Sequence, residues 1–148
     1  MDYCLLKDKN EIEIIKCIIK INNKKIKFSY FHKFNKIGKY IIKYSLFEKL
    51  IKINHMFYEC KSLTNIDLSN FNTQNVKDMS CMFYGCNSLT NIDLSNFNTQ
   101  NVRILCSMFY GCNSLTNIGL SNFNTQNVKG KYHMFYGCNS LFKSFLFD

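Results

Sequence analysis

Four cysteines recur at one interval: Cys60, Cys86, Cys112 and Cys138, each 26 residues after the last. A regular row of thiols invites two chemical readings, a disulfide or a metal site. Parallel side chains on successive units are poorly placed for the twisted geometry of a disulfide. Structural zinc sites usually show Cys or His pairs two to four residues apart, and the chain has no CxxC. The simpler expectation is a column of small buried apolar side chains, which is how free Cys packs. The residue before each Met-Phe pair is His55, Cys81, Ser107 and His133 in turn. His55 and Cys81 would be neighbours, but two ligands do not make a structural metal site. A Cys–His nucleophile pair needs a third, orienting group. No metal and no cofactor is expected, and no catalytic residue is assigned. The chain also lacks a phosphate loop, a triad and a zinc signature.

The cysteine interval belongs to a larger repeat. Residues 56–76 read MFYECKSLTNIDLSNFNTQNV, 82–102 read MFYGCNSLTNIDLSNFNTQNV, and 108–128 read MFYGCNSLTNIGLSNFNTQNV. A fourth copy opens MFYGCNSL at 134–141 and then decays into FKSFLFD. The spacing Leu89-x-x-Ile92-x-Leu94 is that of a leucine-rich-repeat strand. Alternation puts Ile92 and Leu94 on one face and Asp93 on the other. Met-Phe-Tyr-Gly-Cys suggests a short helical turn ended at Gly85 or Gly111, where glycine tolerates a positive φ. Ser-Asn-Phe-Asn-Thr-Gln-Asn is rich in residues that bond their own backbone in turns. One such unit cannot bury its apolar side alone, whereas stacked units can, each apolar position resting on its copy.

The expected core therefore comprises Phe57, Cys60, Leu63, Ile66, Leu68 and Phe71; Phe83, Cys86, Leu89, Ile92, Leu94 and Phe97; and Phe109, Cys112, Leu115, Ile118, Leu120 and Phe123. Strand positions pointing the other way are the binding candidates. They are Asn65, Asp67 and Ser69; Asn91, Asp93 and Ser95; Asn117 and Ser121, with Gly119 between the last two. Asn65, Asn91 and Asn117, like Asn72, Asn98 and Asn124, stand in register and suit amide ladders or capped turns. The five residues between copies are looser: KDMSC, RILCS, then KGKYH. Their third position changes from Met79 to Leu105 to Lys131, and Ser144 replaces the Ile of the fourth strand, so the stack is expected to deteriorate towards its end.

The chain has 148 residues, enough for one ordinary domain. Apolar residues are 47% of it, which argues against wholesale disorder. Residues 1–55 carry 13 Lys and five acids, residues 56–148 six basic residues and five acids. A basic block can meet nucleic acid or an anionic surface. Only one of the 19 basic residues is Arg, the side chain that reads phosphate and bases through its fork, so nucleic acid is an unlikely partner. Abundant Ile, Lys, Asn, Phe and Tyr, with no Pro, is also what an AT-rich genome encodes. No apolar run is long enough to span a membrane, and the charged start MDYCLLKDK lacks the apolar stretch of a signal peptide. An intracellular protein is expected, with a surface location left open for a fragment. In residues 1–55, alternation at 11–14, 19–21 and 26–30 with Asn22-Asn23-Lys24-Lys25 between the last two reads as a hairpin. Residues 40–53 suggest one more strand or a short helix.

The stretch MFYECKSLTNIDLSNFNTQNVKDMSCMFYGC, residues 56–86, resembles the BspA-type leucine-rich repeat family, in the variant described as a mycoplasma protein family of unknown function. That variant repeats MFxGCxSLTxLDLSxFNTxNVTxM, and the likeness covers residues 56–141. The resemblance implies an interaction or surface-adhesion module, in a family usually built from more copies. The expected fold is mainly β with short helical turns: a leucine-rich-repeat solenoid of about three and a half 26-residue coils (56–148) behind a Lys-rich, hairpin-containing β cap (1–55). The expected function is non-enzymatic binding of a protein partner through the exposed sheet face. The rival expectation is a self-associating structural protein or shortened remnant, joined through the unpaired strand edge of its C-terminal coil.

Overall fold

The computed structural model describes three N-terminal strands and the continuous stretch 51–144. The strands are β1 (Cys17–Ile21), β2 (Lys24–Ile26) and β3 (Ile42–Leu46). Isoleucine-rich runs of this length favour extended backbone. They form an antiparallel sheet in the order β2-β1-β3, with Ile21 opposite Lys24 and Cys17 opposite Leu46. The hairpin expectation is corrected in one respect: Lys24 and Lys25 belong to β2, because two residues suffice to connect antiparallel strands. Of the two options for 40–53, a strand forms at 42–46. The alternating runs at 11–14 and 27–30 lie outside the described residues.

From residue 51 onward the copies lie side by side, parallel and offset by 26 residues. Strand β4 (Asn91–Asp93) pairs with β5 (Asn117–Gly119), Asn91 opposite Asn117 and Ile92 opposite Ile118. In the first copy residues 65–67 form no strand. There the Asn96 side-chain amide of the second copy takes the Leu68 and Ser69 carbonyls, both at 2.9 Å.

A second and longer line of pairing runs through segments that looked like loose linkers. Parallel bridges join Lys52, Asp78, Ile104 and Gly130 in sequence. The N–H groups of Met79, Cys81, Phe83 and Gly85 donate to the carbonyls of Ile104, Cys106, Met108 and Tyr110. The same four bonds link the first copy to the second and the third to the fourth. This pairing already includes Ile53 and His55, ahead of the first Met-Phe at residue 56.

The Met-Phe-Tyr-Gly segment is consequently not a helical turn. Its N–H groups alternate: Tyr84 and Cys86 bond back to Cys81 and Phe83, while Phe83 and Gly85 bond to the next copy. Left-handed residues flank the turn, with φ of 53° at Cys81 and 69° at Gly85, and the pattern recurs at Ser107 and Gly111. A helix of so few residues is costly to nucleate, and the adjacent copy offers its N–H groups carbonyls at once.

The fourth copy departs from expectation. Instead of a strand it forms helix α1 (Asn139–Ser144), whose Lys143 and Ser144 occupy the repeat positions of Asn91-Ile92 and Asn117-Ile118.

The core runs the length of the stack. Phe83, Cys86, Leu89, Leu94, Phe109, Cys112 and Leu115 are 0% exposed. Phe57, Cys60, Leu68, Ile92 and Phe97 are also buried. Leu63, Ile66, Phe71, Ile118, Leu120 and Phe123 are partly buried against that core. Met79 and Leu105, from the variable segments, are fully buried as well. Each fully buried large apolar side chain contributes about 2 kcal/mol relative to exposure.

Candidate interaction face

The binding candidates stand where alternation put them. Asn65, Asn91 and Asn117 are exposed, as are Asp67, Asp93, Ser69 and Ser121; Ser95 and Gly119 are half-buried. The β4–β5 register sets Asn117 beside Asn91. The aspartates are already engaged. Asp67 accepts the Ser69 N–H at 2.9 Å and Asp93 the Ser95 N–H at 2.8 Å, each closing a turn after the strand position. Hydrogen bonds from the Ser69 hydroxyl and N–H hold the Asp67 carboxyl below its ordinary range, and those from the Ser95 N–H and hydroxyl do the same for Asp93. A Cβ placed at Gly119 would lie 2.5 Å from an oxygen of the exposed Asp93 carboxylate, which would have to turn aside. Asn91 is engaged as well, its Nδ2 donating to Thr90 Oγ1 at 3.2 Å.

The opposite turn of each copy is held by side chains. Thr99 Oγ1 donates to the Asn124 carbonyl at 2.8 Å and accepts from the Asn124 N–H at 2.7 Å. Thr73 does the same to Asn98. Asn101 Nδ2 donates to the Gln74 carbonyl at 2.8 Å, and Asn127 Nδ2 to that of Gln100 at 2.9 Å. Asn72, Asn98 and Asn124 accept the N–H two residues on. Thr73 and Thr99 are the two buried polar residues of the core, 2% and 1% exposed, and sequence reasoning passed over them. Their signal was present in the unchanged Asn-Thr of three copies.

The cysteine row divides. Cys86, Cys112 and Cys138 are buried free thiols, and each Sγ donates at 3.1 Å to a carbonyl of the preceding copy, those of Phe57, Phe83 and Phe109. Burial pushes the Cys86 thiol up to about 12, and the neighbouring Cys138 thiol together with burial pushes Cys112 well up. The Cys86 and Cys112 thiols therefore stay protonated at neutral pH, while the hydrogen bond from Cys112 draws the Cys138 thiol down from its ordinary value. Cys60 is the correction to the expected column, being disulfide-bonded to a cysteine outside the row. The row's other members do not bond one another, which is what parallel projection dictates.

His55, Cys81, Ser107 and His133 share a left-handed backbone, with φ between 53° and 59°. Among the described residues no cluster of three or more His, Cys, Asp or Glu is placed to hold a metal ion. Beside them runs a column the sequence did not announce. The rings of Tyr58, Tyr84, Tyr110 and Tyr136 stack with centroids 4.8, 4.7 and 5.2 Å apart. Phe57, Phe83, Phe109 and Phe135 form a parallel buried stack. No helix among the described residues is long and apolar enough to cross a membrane.

A parallel stack of near-identical units, held by constant 26-residue offsets, defines a repeat protein. A family model described as "Mycoplasma protein of unknown function, DUF285" matches residues 23–146, and the chain belongs to that family. No curated protein and no solved structure matches the chain.

Proposed function

We propose that the chain is a non-enzymatic protein-interaction module of the BspA-like leucine-rich-repeat type, its copies coiling into a short solenoid. Binding runs through the exposed strand face, and its contacts are the amides of Asn65, Asn91 and Asn117. The observation that supports this is their placement: all three are exposed, Asn91 and Asn117 stand opposite one another in the β4–β5 pairing with Asn65 at the same position of the first copy, and the neighbouring Ile92 and Leu94 are locked in the core. Rigid mounting lowers the ordering cost of binding, and a row of identical amides suits a partner with a repetitive row of donors and acceptors.

The test is the triple substitution of Asn65, Asn91 and Asn117 by Arg. Partners captured by the unaltered chain are to be lost by the variant while its melting temperature stays within about 2 °C, the shift left by neutral surface substitutions. Capture unchanged by the triple variant removes the face from consideration. Turnover of a substrate by the purified chain would instead sink the non-enzymatic reading.

A further inference from the structure

In the fourth copy the ladder finds no partner among the described residues. In the third copy the N–H groups of Leu105, Ser107, Phe109 and Gly111 donate to the carbonyls of the fourth at 2.7 to 2.9 Å. Their counterparts in the fourth copy are the N–H groups of Lys131, His133, Phe135 and Gly137. Among the described residues these four meet no acceptor. They face one way because left-handed residues alternate with turn residues, φ being 56° at His133 and 79° at Gly137. That alternation gathers every second N–H on one side, as along the open edge of a strand, and leaves a row of donors for a partner's acceptors. By the same register a single carbonyl, that of Lys129, accompanies them.

Nearby side chains carry the matching sign. Lys129, Lys131 and His133 are exposed, and no Asp or Glu occurs between Asp93 and Asp148. The end is also uncovered: Tyr132 and Tyr136 are 75% and 61% exposed, whereas Tyr84 and Tyr110 are half-buried.

We propose that this donor edge docks an acidic peptide segment of a partner protein. Carboxylates and carbonyls of the segment accept from the four N–H groups, and Lys129 and Lys131 balance its charge. A second copy of the chain fits worse. Two such edges would bring donors to donors and lysines to lysines, and the exposed Lys52 and Lys61 of the first copy are basic as well.

The test is a titration of the 15N-labelled full chain with an acetylated, amidated pentaglutamate peptide. Amide protons of Lys131, His133, Phe135 and Gly137 are expected to move downfield together and saturably. The double variant Lys129→Glu/Lys131→Glu is expected to weaken the peptide by about tenfold, with Lys7→Glu/Lys9→Glu, an equal change of charge, weakening it far less. Equal weakening by both pairs, or shifts confined to residues 1–55, would overturn the proposal in favour of diffuse attraction. Inorganic phosphate moving the same amides as strongly would overturn it in favour of a phosphate ligand. Slow-exchanging, already bonded amides at these four positions in a dimeric free chain would overturn it in favour of a second copy. The edge lies apart from Asn65, Asn91 and Asn117, so the triple Arg variant leaves this titration unchanged, and the two surfaces can fail separately.

Discussion

Beside the short β4–β5 pairing, each copy is joined to the next along two longer sides, and these two are joined by different means. On the Met-Phe-Tyr side the link is backbone to backbone, every second N–H donating to a carbonyl of the next copy. On the Asn-rich side the link is made by side chains, the Thr99 hydroxyl and the Asn96, Asn101 and Asn122 amides reaching backbone atoms of a neighbouring copy. The sequence bears the mark of that difference. SNFNTQNV is identical at 69–76, 95–102 and 121–128, while the segments KDMSC, RILCS and KGKYH, which lie on the backbone-linked side, scarcely agree. A backbone bond is indifferent to the side chain above it, provided the inward position stays apolar, as at Met79 and Leu105. A side-chain bond demands one residue type. The ladder residues of MFYGC are constant too, because Phe83 and Tyr84 stack on their copies, so internal identity tracks whether a side chain is engaged and not whether the backbone is.

The largest effect is expected where both sides share a core. Leu94→Asp places a carboxylate at a fully buried position and costs about 4 kcal/mol or more, so no cooperative melting transition should survive. An unchanged melting curve would refute the packing described for the strand.

Next comes the direct comparison of the two sides. Thr99→Val keeps the volume and removes the buried hydroxyl, leaving the half-buried Asn124 N–H and carbonyl without that partner at a cost of about 1–3 kcal/mol. Arg103→Ala, on the backbone-linked side, should cost less than about 0.5 kcal/mol because the ladder N–H is untouched. Equal costs in urea unfolding would erase the distinction. Asn101→Ala, which loses one exposed amide bond to the preceding copy, falls between them at about 1 kcal/mol.

A smaller change should be favourable. Glu59 sits at φ 53° where the other copies have Gly85, Gly111 and Gly137, so Glu59→Gly relieves left-handed strain and is expected to stabilise by about 0.5–1 kcal/mol. A lowered melting temperature would mean that the Glu59 side chain outweighs its backbone.

The least effect is electrostatic. The Asp67 and Asp93 carboxyls are held below their ordinary range, so the stability from their turn-closing bonds is fully present above that range and is lost as pH falls through their lowered folded values. The profile of melting temperature against pH should be flat from 7 to about 5 and decline below 4, and Asp93→Asn should make that decline shallower. A variant profile that overlays the original would remove the capping role.

How much was legible depends on where the bonding partners lie in the chain. The apolar positions Leu89, Ile92 and Leu94 were readable because alternation is a local property, and the 26-residue period told which residues would rest on which. The exposed Asn and Asp row followed from the same alternation. Engagement of Asp93 by Ser95 was locally legible too, since an Asx turn spans only two residues. The long ladder was not. Its donors and acceptors stand 25 residues apart, and its residues vary in type from copy to copy. Nor was the helical fourth copy, whose NSL opening matches the strand-forming copies letter for letter.

By itself the sequence determined the period, the inward and outward positions, and the family to which those letters belong, because each is written in residue type and spacing. The tertiary structure decided which segments carry the ladder, where the backbone turns left-handed, and how the last copy ends. Those outcomes rest on whether a backbone group finds a partner in the next copy, and an N–H that finds one in a neighbour need not be satisfied by its own turn.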